Sequence, residues 1–295
     1  MRVAVVGGNG QLGTDVTLAF EQNGDEVRSL AHGDIEITNL DSVSGALAYR
    51  PQIIVNTAAM HHVDKCETDP ERAFAVNALG ARNLALIALD LGATLIHVST
   101  DYVFDGTKAE PYVESDCPRP LNAYGNSKLA GEYFVRSILV KHFVVRTSGL
   151  YGTAPCRAKG RNFVELMLFL ARERGEVRVV DSEWVTPTCT RDLARQILAL
   201  SGSDAYGLYH GTAESSCSWY EFAREIFSLS GTTAALKVAT SNEFPAKVPR
   251  PAYSVLENRA LKDRGLNTFT SWQAGLKEYL ALPCCGVEGY TPSNI

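Results

Sequence analysis

The chain has 295 residues, enough for one large domain or two closely joined ones with a sizeable core. It is 45% hydrophobic and 21% charged, and its formal net charge of -5 gives no electrostatic case for nucleic acid or an anionic membrane as partner. The seven cysteines include no C-x-x-C pair, which argues against a zinc centre or a redox dithiol and for reduced thiols in a cytoplasmic protein. The chain enters an apolar strand almost at once, so no cleaved secretory segment is expected, and no apolar run reaches the roughly 18 residues of a membrane span.

Val3 to Val6 is a β-branched run that stops in glycine and is followed by a helical pattern. Gly7, Gly10 and Gly13 are spaced G-x-x-G-x-x-G across that junction. A strand, a tight turn and a helix N-terminus in this order suit a pyrophosphate, because free N–H groups and the positive end of the helix dipole meet at the turn. Asp15 to Gln22 is then a helix and Glu26 to Ala31 a strand. Leu40 to Tyr49 is a helix, and Gln52 to Asn56 a strand apolar on both faces, as in a buried parallel sheet. Pro70 to Leu91 carries one long helical pattern closed by Gly92. Thr94 to Ser99, Asn122 to Ser137 and His142 to Thr147 continue as strand, helix and strand. Repeated βα units imply an α/β fold, a Rossmann-type doubly wound parallel sheet.

Beyond Arg146 the pattern loosens. Tyr151 to Arg161 is a polar loop, Phe163 to Arg174 a helix and Val177 to Val180 a short strand. Arg191 to Leu200 is a helix, and Gly207 to Gly211 is a strand of the parallel type. Ser218 caps a helix that runs to Leu229, with Glu221 completing a capping box. Pro245, Pro249 and Pro251 break a polar segment before a last helix from Ser271 to Leu282. We expect residues 1–150 with 189–213 to form the dinucleotide-binding domain. Residues 151–188 with 214–282 would form a smaller substrate-binding domain interleaved with it, and 283–295 a loose tail.

Two further stretches carry chemistry. Tyr124 and Lys128 stand four apart on a helix and share a face, so the ammonium is expected to ease the phenol toward ionisation. Thr100 stands at the end of the strand Thr94 to Ser99, and ligands of open α/β sheets sit beyond such carboxyl ends.

With these motifs in place the chain resembles the extended short-chain dehydrogenase/reductases, and among them the dTDP-4-dehydrorhamnose reductase family. The resemblance runs to about Leu282 and rests on the glycine turn, Val55-Asn56-Thr57-Ala58-Ala59, Val63-Asp64-Lys65-Cys66-Glu67 and Val76-Asn77. It continues through Ser99-Thr100-Asp101-Tyr102-Val103-Phe104-Asp105-Gly106, Pro120-Leu121-Asn122-Ala123-Tyr124-Gly125, Gly160-Arg161-Asn162-Phe163, Thr186-Pro187-Thr188, Gly207-Leu208-Tyr209-His210 and Arg250-Pro251. It implies a catalytic set of Thr100, Tyr124 and Lys128. Hydride would pass from a nicotinamide to the 4-keto carbon of a deoxyhexose nucleotide. Tyr124 would act as general acid, Lys128 would hold the nicotinamide ribose, and Thr100 would bond the carbonyl oxygen. Gly7, Asn9, Gly10, Gln11, Leu12 and Gly13 would cradle the pyrophosphate, Glu36 and Ile37 would flank adenine, and Ala58 and Ala59 would pass under the adenosine.

The second strand ends without an acidic residue, with Arg28 and His32 nearby, which favours NADPH, NADH being the alternative. Tyr102, Asn162, Trp184 and Arg250 are the candidate substrate residues, Arg250 as a diphosphate clamp. The family has Trp where this chain has Gly149, and Trp184 is the candidate to refill that space. The loop from Gly152 to Lys159 is longer than usual. His61 and His62 are candidates for the nicotinamide end of the cleft, solvated loop histidines being the plainer reading. Glutamates that bind magnesium in some relatives have no match, so no metal is expected. The small-molecule partner would be a nucleotide sugar, and the chain a monomer or homodimer. Dehydratase chemistry is disfavoured, since Tyr102 follows Asp101 where an acid–base pair would stand. A related 4-ketoreductase or epimerase, or a non-catalytic NADP-binding subunit like that of methionine adenosyltransferase, are the competing readings.

Overall fold

The structure is a computed structural model that describes residues 1–156, 160–240, 243 and 247–282. The expected tail 283–295, Pro245 and part of the loop after Gly152 lie outside the described residues. The first half runs β1 (Arg2–Val6), α1 (Gln11–Gln22), β2 (Glu26–Leu30), α2 (Leu40–Ala46), β3 (Ile53–Asn56), α3 (Val63–Thr68) and α4 (Pro70–Phe74). A π-helical turn (Ala75–Leu79), α5 (Gly80–Leu91), β4 (Thr94–Thr100), a 3-10 turn (Asp101–Val103), α6 (Ala123–Ile138) and β5 (His142–Thr147) follow. The second half runs β6 (Leu150–Tyr151), α7 (Phe163–Arg174), β7 (Glu176–Val180), β8 (Trp184–Val185), β9 (Thr188–Cys189) and α8 (Thr190–Ser201). It ends with β10 (Gly207–His210), β11 (Cys217–Ser218), α9 (Trp219–Ser230), β12 (Ala235–Ala239), α10 (Arg259–Asp263) and α11 (Trp272–Leu280).

Six strands form one parallel sheet in the order β10-β5-β4-β3-β1-β2. The chain first goes from β1 to β2 on one side and then crosses to β3 on the other, so the switch point lies above β1 and β3. Side chains alternate between the two faces. Val3, Val5, Ile96 and Phe143 pack with Val16, Phe20 and Ile197 of α1 and α8. Ala4, Val6, Ile54 and Leu95 pack with Val43, Leu84, Ala88 and Val135 on the other side. A separate core of Tyr151, Val164, Phe222, Trp272, Leu276 and Tyr279 holds the second lobe around α7, α9 and α11.

The long helix expected over Pro70–Leu91 is there, interrupted by the π turn at Ala75–Leu79. By length and composition it could cross a membrane, but it lays Ala81, Leu84, Ala85 and Ala88 against the sheet. The turn brings Asn77 toward the site, a common use of a π insertion. Five strands escaped the sequence reading, β6, β8, β9, β11 and β12. β12 pairs in parallel with β7, and β8 pairs antiparallel with the two-residue β11.

α6 sits unusually close to the π turn. A Cβ on Gly131 would collide with the Asn77 carbonyl oxygen. Gly131→Ala is therefore expected to destabilise the protein by about 1–3 kcal/mol. Exposed Gly45 has nothing within 4 Å of its added Cβ and an ordinary helical backbone, so Gly45→Ala should stabilise by about 0.4–1 kcal/mol. Urea unfolding of both variants checks the opposite signs.

Candidate active site

The turn after β1 is built from backbone on all sides. Gly7 has a φ of +79° and its N–H donates to the Leu30 carbonyl at 2.9 Å. A Cβ there would meet the Ala58 nitrogen at 2.8 Å and Thr57 Oγ1 at 2.9 Å. A Cβ on Gly8 would strike Ser29, and one on Gly13 would strike the Gly7 carbonyl. The helix α1 starts at an N-cap Gly10 with no side-chain cap, which leaves its first N–H groups for an anion. Two side chains of the expected cradle are used elsewhere. Gln11 Nε2 donates to the Gly152 carbonyl at 3.0 Å and Leu12 is buried in the sheet core. Their contribution to a phosphate is thus through backbone N–H.

Ala58 and Ala59 are half-buried, and Ala58 N–H donates to Asn56 Oδ1 at 3.1 Å. Ile37 is buried beneath Gly80, whose Cβ would meet Ile37 Cδ1 at 2.7 Å. Glu36 Oε1 accepts from the Thr38 N–H and hydroxyl at 3.1 and 2.8 Å, and its Oε2 lies 3.6 Å from Arg72 and 3.7 Å from His32. Arg28 is exposed at the sheet edge with its guanidinium 3.9 Å over the Tyr49 ring.

The reacting end is assembled by α6 and β4. Glu67 accepts the Ala123 N–H at 2.9 Å and Asn122 Oδ1 accepts the Gly125 N–H at 2.9 Å, which fixes the start of α6. Gly125 must be glycine because the Tyr102 carbonyl fills the place of a Cβ. The Tyr124 hydroxyl is hydrogen-bonded to Thr100, and its ring meets Tyr102 edge-on at 5.7 Å. Lys128 is 2% exposed, and its Nζ donates to the Val98 carbonyl at 2.7 Å. Burial lowers the Lys128 ammonium to about 8, with Glu132 acting against the fall. The expected easing of the phenol is corrected by the structure. Burial of the hydroxyl end pushes Tyr124 above its usual value, the Thr100 bond opposes this, and the Asp101 carboxylate adds to it. Lys128 meanwhile spends a hydrogen bond on Val98. As it stands, Tyr124 is a held acid, a proton donor at neutral pH.

Sequence reading missed three residues that position this set. Asp101 is buried; its Oδ1 accepts from Thr100 Oγ1 at 2.9 Å and its Oδ2 from Ser148 at 2.8 Å, with Ser254 a third hydroxyl partner. Burial raises the Asp101 carboxyl against these bonds. Asn77 exchanges hydrogen bonds with both Met60 backbone groups at 2.9 Å and donates to Ser127 at 3.0 Å, tying the loop after β3 to α6. Glu132, two turns below Tyr124, forms a wholly buried pair with Arg146 at 2.7 Å. The sequence carries a signal for Glu132: a carboxylate four residues beyond Lys128 on the same helix face.

Of the expected substrate residues, Tyr102 follows Thr100 by two positions and has Arg250 as a charged neighbour, while Trp184 pairs with the segment after Arg250. Arg250 favours the Tyr102 phenolate electrostatically, against burial, and lies 3.7 Å from Asp64. Trp184 N–H donates to the Ala252 carbonyl at 2.8 Å, and its own carbonyl accepts the Ser254 N–H at 2.9 Å. Asn162 does not join them. Its Oδ1 caps α7 by accepting the Glu165 N–H at 3.0 Å, and its Nδ2 donates to the Gly152 carbonyl at 2.9 Å and the Tyr279 hydroxyl at 3.1 Å. These bonds use both amide hydrogens of Asn162 and brace the second lobe. His62 likewise caps α3, with its Nδ1 3.4 Å from the Lys65 N–H.

The space opposite Gly149 is not refilled by Trp184. A Cβ on Gly149 would meet Pro187 Cα at 3.1 Å and the Thr186 carbonyl oxygen at 3.2 Å, and Trp184 stays 38% exposed.

Residues 1–283 match the family described as RmlD substrate binding domain. The chain is similar to the spore coat polysaccharide biosynthesis protein SpsK of Bacillus subtilis, at 40% identity over 280 residues covering 95% of this chain and 96% of that protein. It is similar in structure to a dTDP-4-dehydrorhamnose reductase of Clostridium acetobutylicum, with a TM-score of 0.90, 40% identity, and coverage of 95% of this chain and 98% of that one. It is also similar to a dTDP-4-dehydrorhamnose reductase of Bacillus anthracis solved in complex with NADP, with a TM-score of 0.89, 38% identity, and coverage of 94% and 98%.

Gly149 has a φ of +57° as well as close neighbours. Gly149→Trp is expected to destabilise the fold by about 2 kcal/mol or more, from left-handed strain and overpacking. A thermal melt that matches the parent would contradict this.

Proposed function

The chain belongs to the RmlD substrate-binding-domain family, and from that premise we propose that it is an NADPH-dependent oxidoreductase reducing the 4-keto group of a dTDP-linked deoxyhexose, dTDP-4-dehydrorhamnose, to dTDP-L-rhamnose. The observation that carries the reading is the convergence of Thr100, Tyr124 and Lys128 at the carboxyl end of β4, beside a turn of uncapped backbone N–H groups. A non-catalytic nucleotide binder has no use for a tyrosine bonded to a strand-end threonine one helical turn from a buried lysine.

The residues present fit the cofactor. Glycine at positions 7, 8 and 13 lets the turn close on Ala58, Ser29 and its own backbone, and the first turn of α1 offers its N–H groups to a pyrophosphate. Gly10, Asn9 and the backbone of Gln11 and Leu12 complete the cradle, and Glu36, Ile37, Ala58 and Ala59 form the adenosine side. The exposed Arg28 and His32 at the end of β2 suit a 2′-phosphate and favour NADPH. When bound, the nicotinamide supplies the hydride that the protein has no group to provide.

The protein side of the reaction is proton placement. Tyr124, kept protonated by its buried setting, donates its hydroxyl proton to the oxygen of the reduced carbonyl as general acid. Thr100 lies within hydrogen-bond reach of Tyr124 and holds a second hydroxyl proton, bonded to Asp101 in the resting arrangement. Its role is to orient the carbonyl oxygen between the two hydroxyls. Lys128 presents an ammonium beneath Tyr124, suited to a ribose hydroxyl and to the phenolate left after proton transfer. Tyr102, Arg250 and Trp184 form the sugar and diphosphate side. Residues 1–150 with 189–213 act as the cofactor lobe and 151–188 with 214–282 as the substrate lobe. We place the enzyme in the cytoplasm, which suits the free Cys66, Cys117, Cys156, Cys189 and Cys217, and treat it as a monomer or homodimer.

Purified protein should oxidise NADPH in the presence of dTDP-4-dehydrorhamnose. Tyr124→Phe is expected to lower kcat by about 10²–10⁴-fold while leaving NADPH affinity within about twofold. Wild-type protein that leaves NADPH unoxidised with this sugar and with other 4-keto nucleotide sugars would defeat the proposal.

A further inference from the structure

Three successive turns of α6 are fastened to the end of β4. Tyr124 bonds Thr100, Lys128 Nζ bonds the Val98 carbonyl at 2.7 Å, and Glu132 Oε1 accepts from Ser99 Oγ at 2.5 Å. The lowest rung also reaches β5. Arg146 donates to Glu132 through Nε at 2.9 Å and through its second nitrogen at 2.7 Å, a forked pair in which Arg146 is 1% exposed and Glu132 not at all. A buried ion pair of this kind is weak support for stability, since well-packed apolar residues often serve as well or better. Its place one turn beneath Lys128 gives it another use.

The surroundings isolate it. The Arg146 guanidinium lies 5.2 Å from the centre of the Phe104 ring. His210, packed edge-on against Phe104, is held neutral by burial and by Arg146, with its pKa lowered to about 3. His97 of β4 faces Lys128 and is kept neutral by burial and by that ammonium. Asp101 and Cys66 face Tyr124. Glu132 is the carboxylate whose charge bears on Lys128.

Resting on the reductase reading, we propose that Glu132 is a positioning residue. Its carboxylate, clamped by Ser99 and Arg146, keeps Lys128 charged and sets Lys128 and Tyr124, one and two turns above it, at the height of the Thr100 hydroxyl. Glu132 touches neither substrate nor cofactor and acts through Lys128.

The test compares wild type, Glu132→Gln, and the triple variant Ser99→Ala with Glu132→Leu and Arg146→Met, which removes the network without stranding a buried partner. The first readout needs no substrate: NMR titration of the Lys128 ε-carbon in lysine-labelled protein, assigned by Lys128→Met. Removing the carboxylate takes away the charge that favours the ammonium, so Lys128 should titrate lower by about one pH unit in both variants. The second is the pH profile of kcat for NADPH-dependent reduction. Its basic limb should move down with Lys128, with kcat reduced about tenfold at pH 8 and much less at pH 6.5, and NADPH affinity within about threefold. If Glu132→Gln fails to fold, the triple variant decides. A folded variant whose Lys128 titrates as in wild type, or whose pH profile is unmoved, overturns the proposal. A wild-type protein with no turnover of any 4-keto nucleotide sugar defeats the reductase reading instead, and the titration alone then decides the role of Glu132.

Discussion

The register of α6 against β4 is the constraint on which the site depends. A helix lying on a sheet can slide or roll by a fraction of a turn at small expense if only apolar contacts hold it, because such contacts are not directional. Here the helix is pinned by directional bonds on successive turns: a phenol to Thr100, an ammonium to the Val98 carbonyl, a carboxylate to Ser99 and Arg146. Gly131 lets the same helix close on the π turn, and Gly125 lets its first turn close on Tyr102. The outcome is a tyrosine hydroxyl whose place is set by β4, the strand whose end also supplies its neighbour Thr100.

The second constraint is the parallel sheet itself. With β1 and β3 adjacent at the switch point, the turn after β1 and the loop after β3 open on the same crevice. Glycine is required there by contact as much as by conformation, since Thr57, Ala58 and Ser29 already occupy the places of the missing Cβ atoms. The crevice is joined to the second lobe by the Gly152 carbonyl, which accepts from Gln11 of α1 and from Asn162 at the start of α7. The Asp101 carboxylate makes a comparable seam on the reacting side, joining β4, β5 and the segment around Ser254. These bonds tie the six-stranded sheet to the segments beyond β5.

What could be read from the sequence was what local pattern encodes. The alternation of buried strands with amphipathic helices is visible in any window of a dozen residues, and the six-stranded parallel sheet follows from it. The glycine turn and the Tyr124/Lys128 spacing are local too. The two-residue strands β6, β8, β9 and β11 carry no period to detect, because only their tertiary pairing makes them strands. Asn162 was legible as part of a motif, but motif membership does not say where an amide points, and its polar atoms proved to be committed to a cap and two lobe contacts. Gly149 misled in the opposite sense. The absence of an aromatic suggested a larger pocket, while the backbone of Thr186 and Pro187 closes over the position. The state of Tyr124 was misjudged because helix spacing shows which residues are neighbours and says nothing of burial, and burial decides the direction of its shift.

A cleft that brings a nicotinamide to the sugar ketone must deliver its hydride to one carbon. Incubating the protein with dTDP-4-dehydrorhamnose and NADPH carrying deuterium in the transferable position of nicotinamide C4, then locating the label in the product by mass spectrometry and NMR, reads this out. A single deuterium on C4 of the hexose, in step with NADPH consumed, is the predicted result. An unlabelled sugar, or label at any other carbon, would contradict the account.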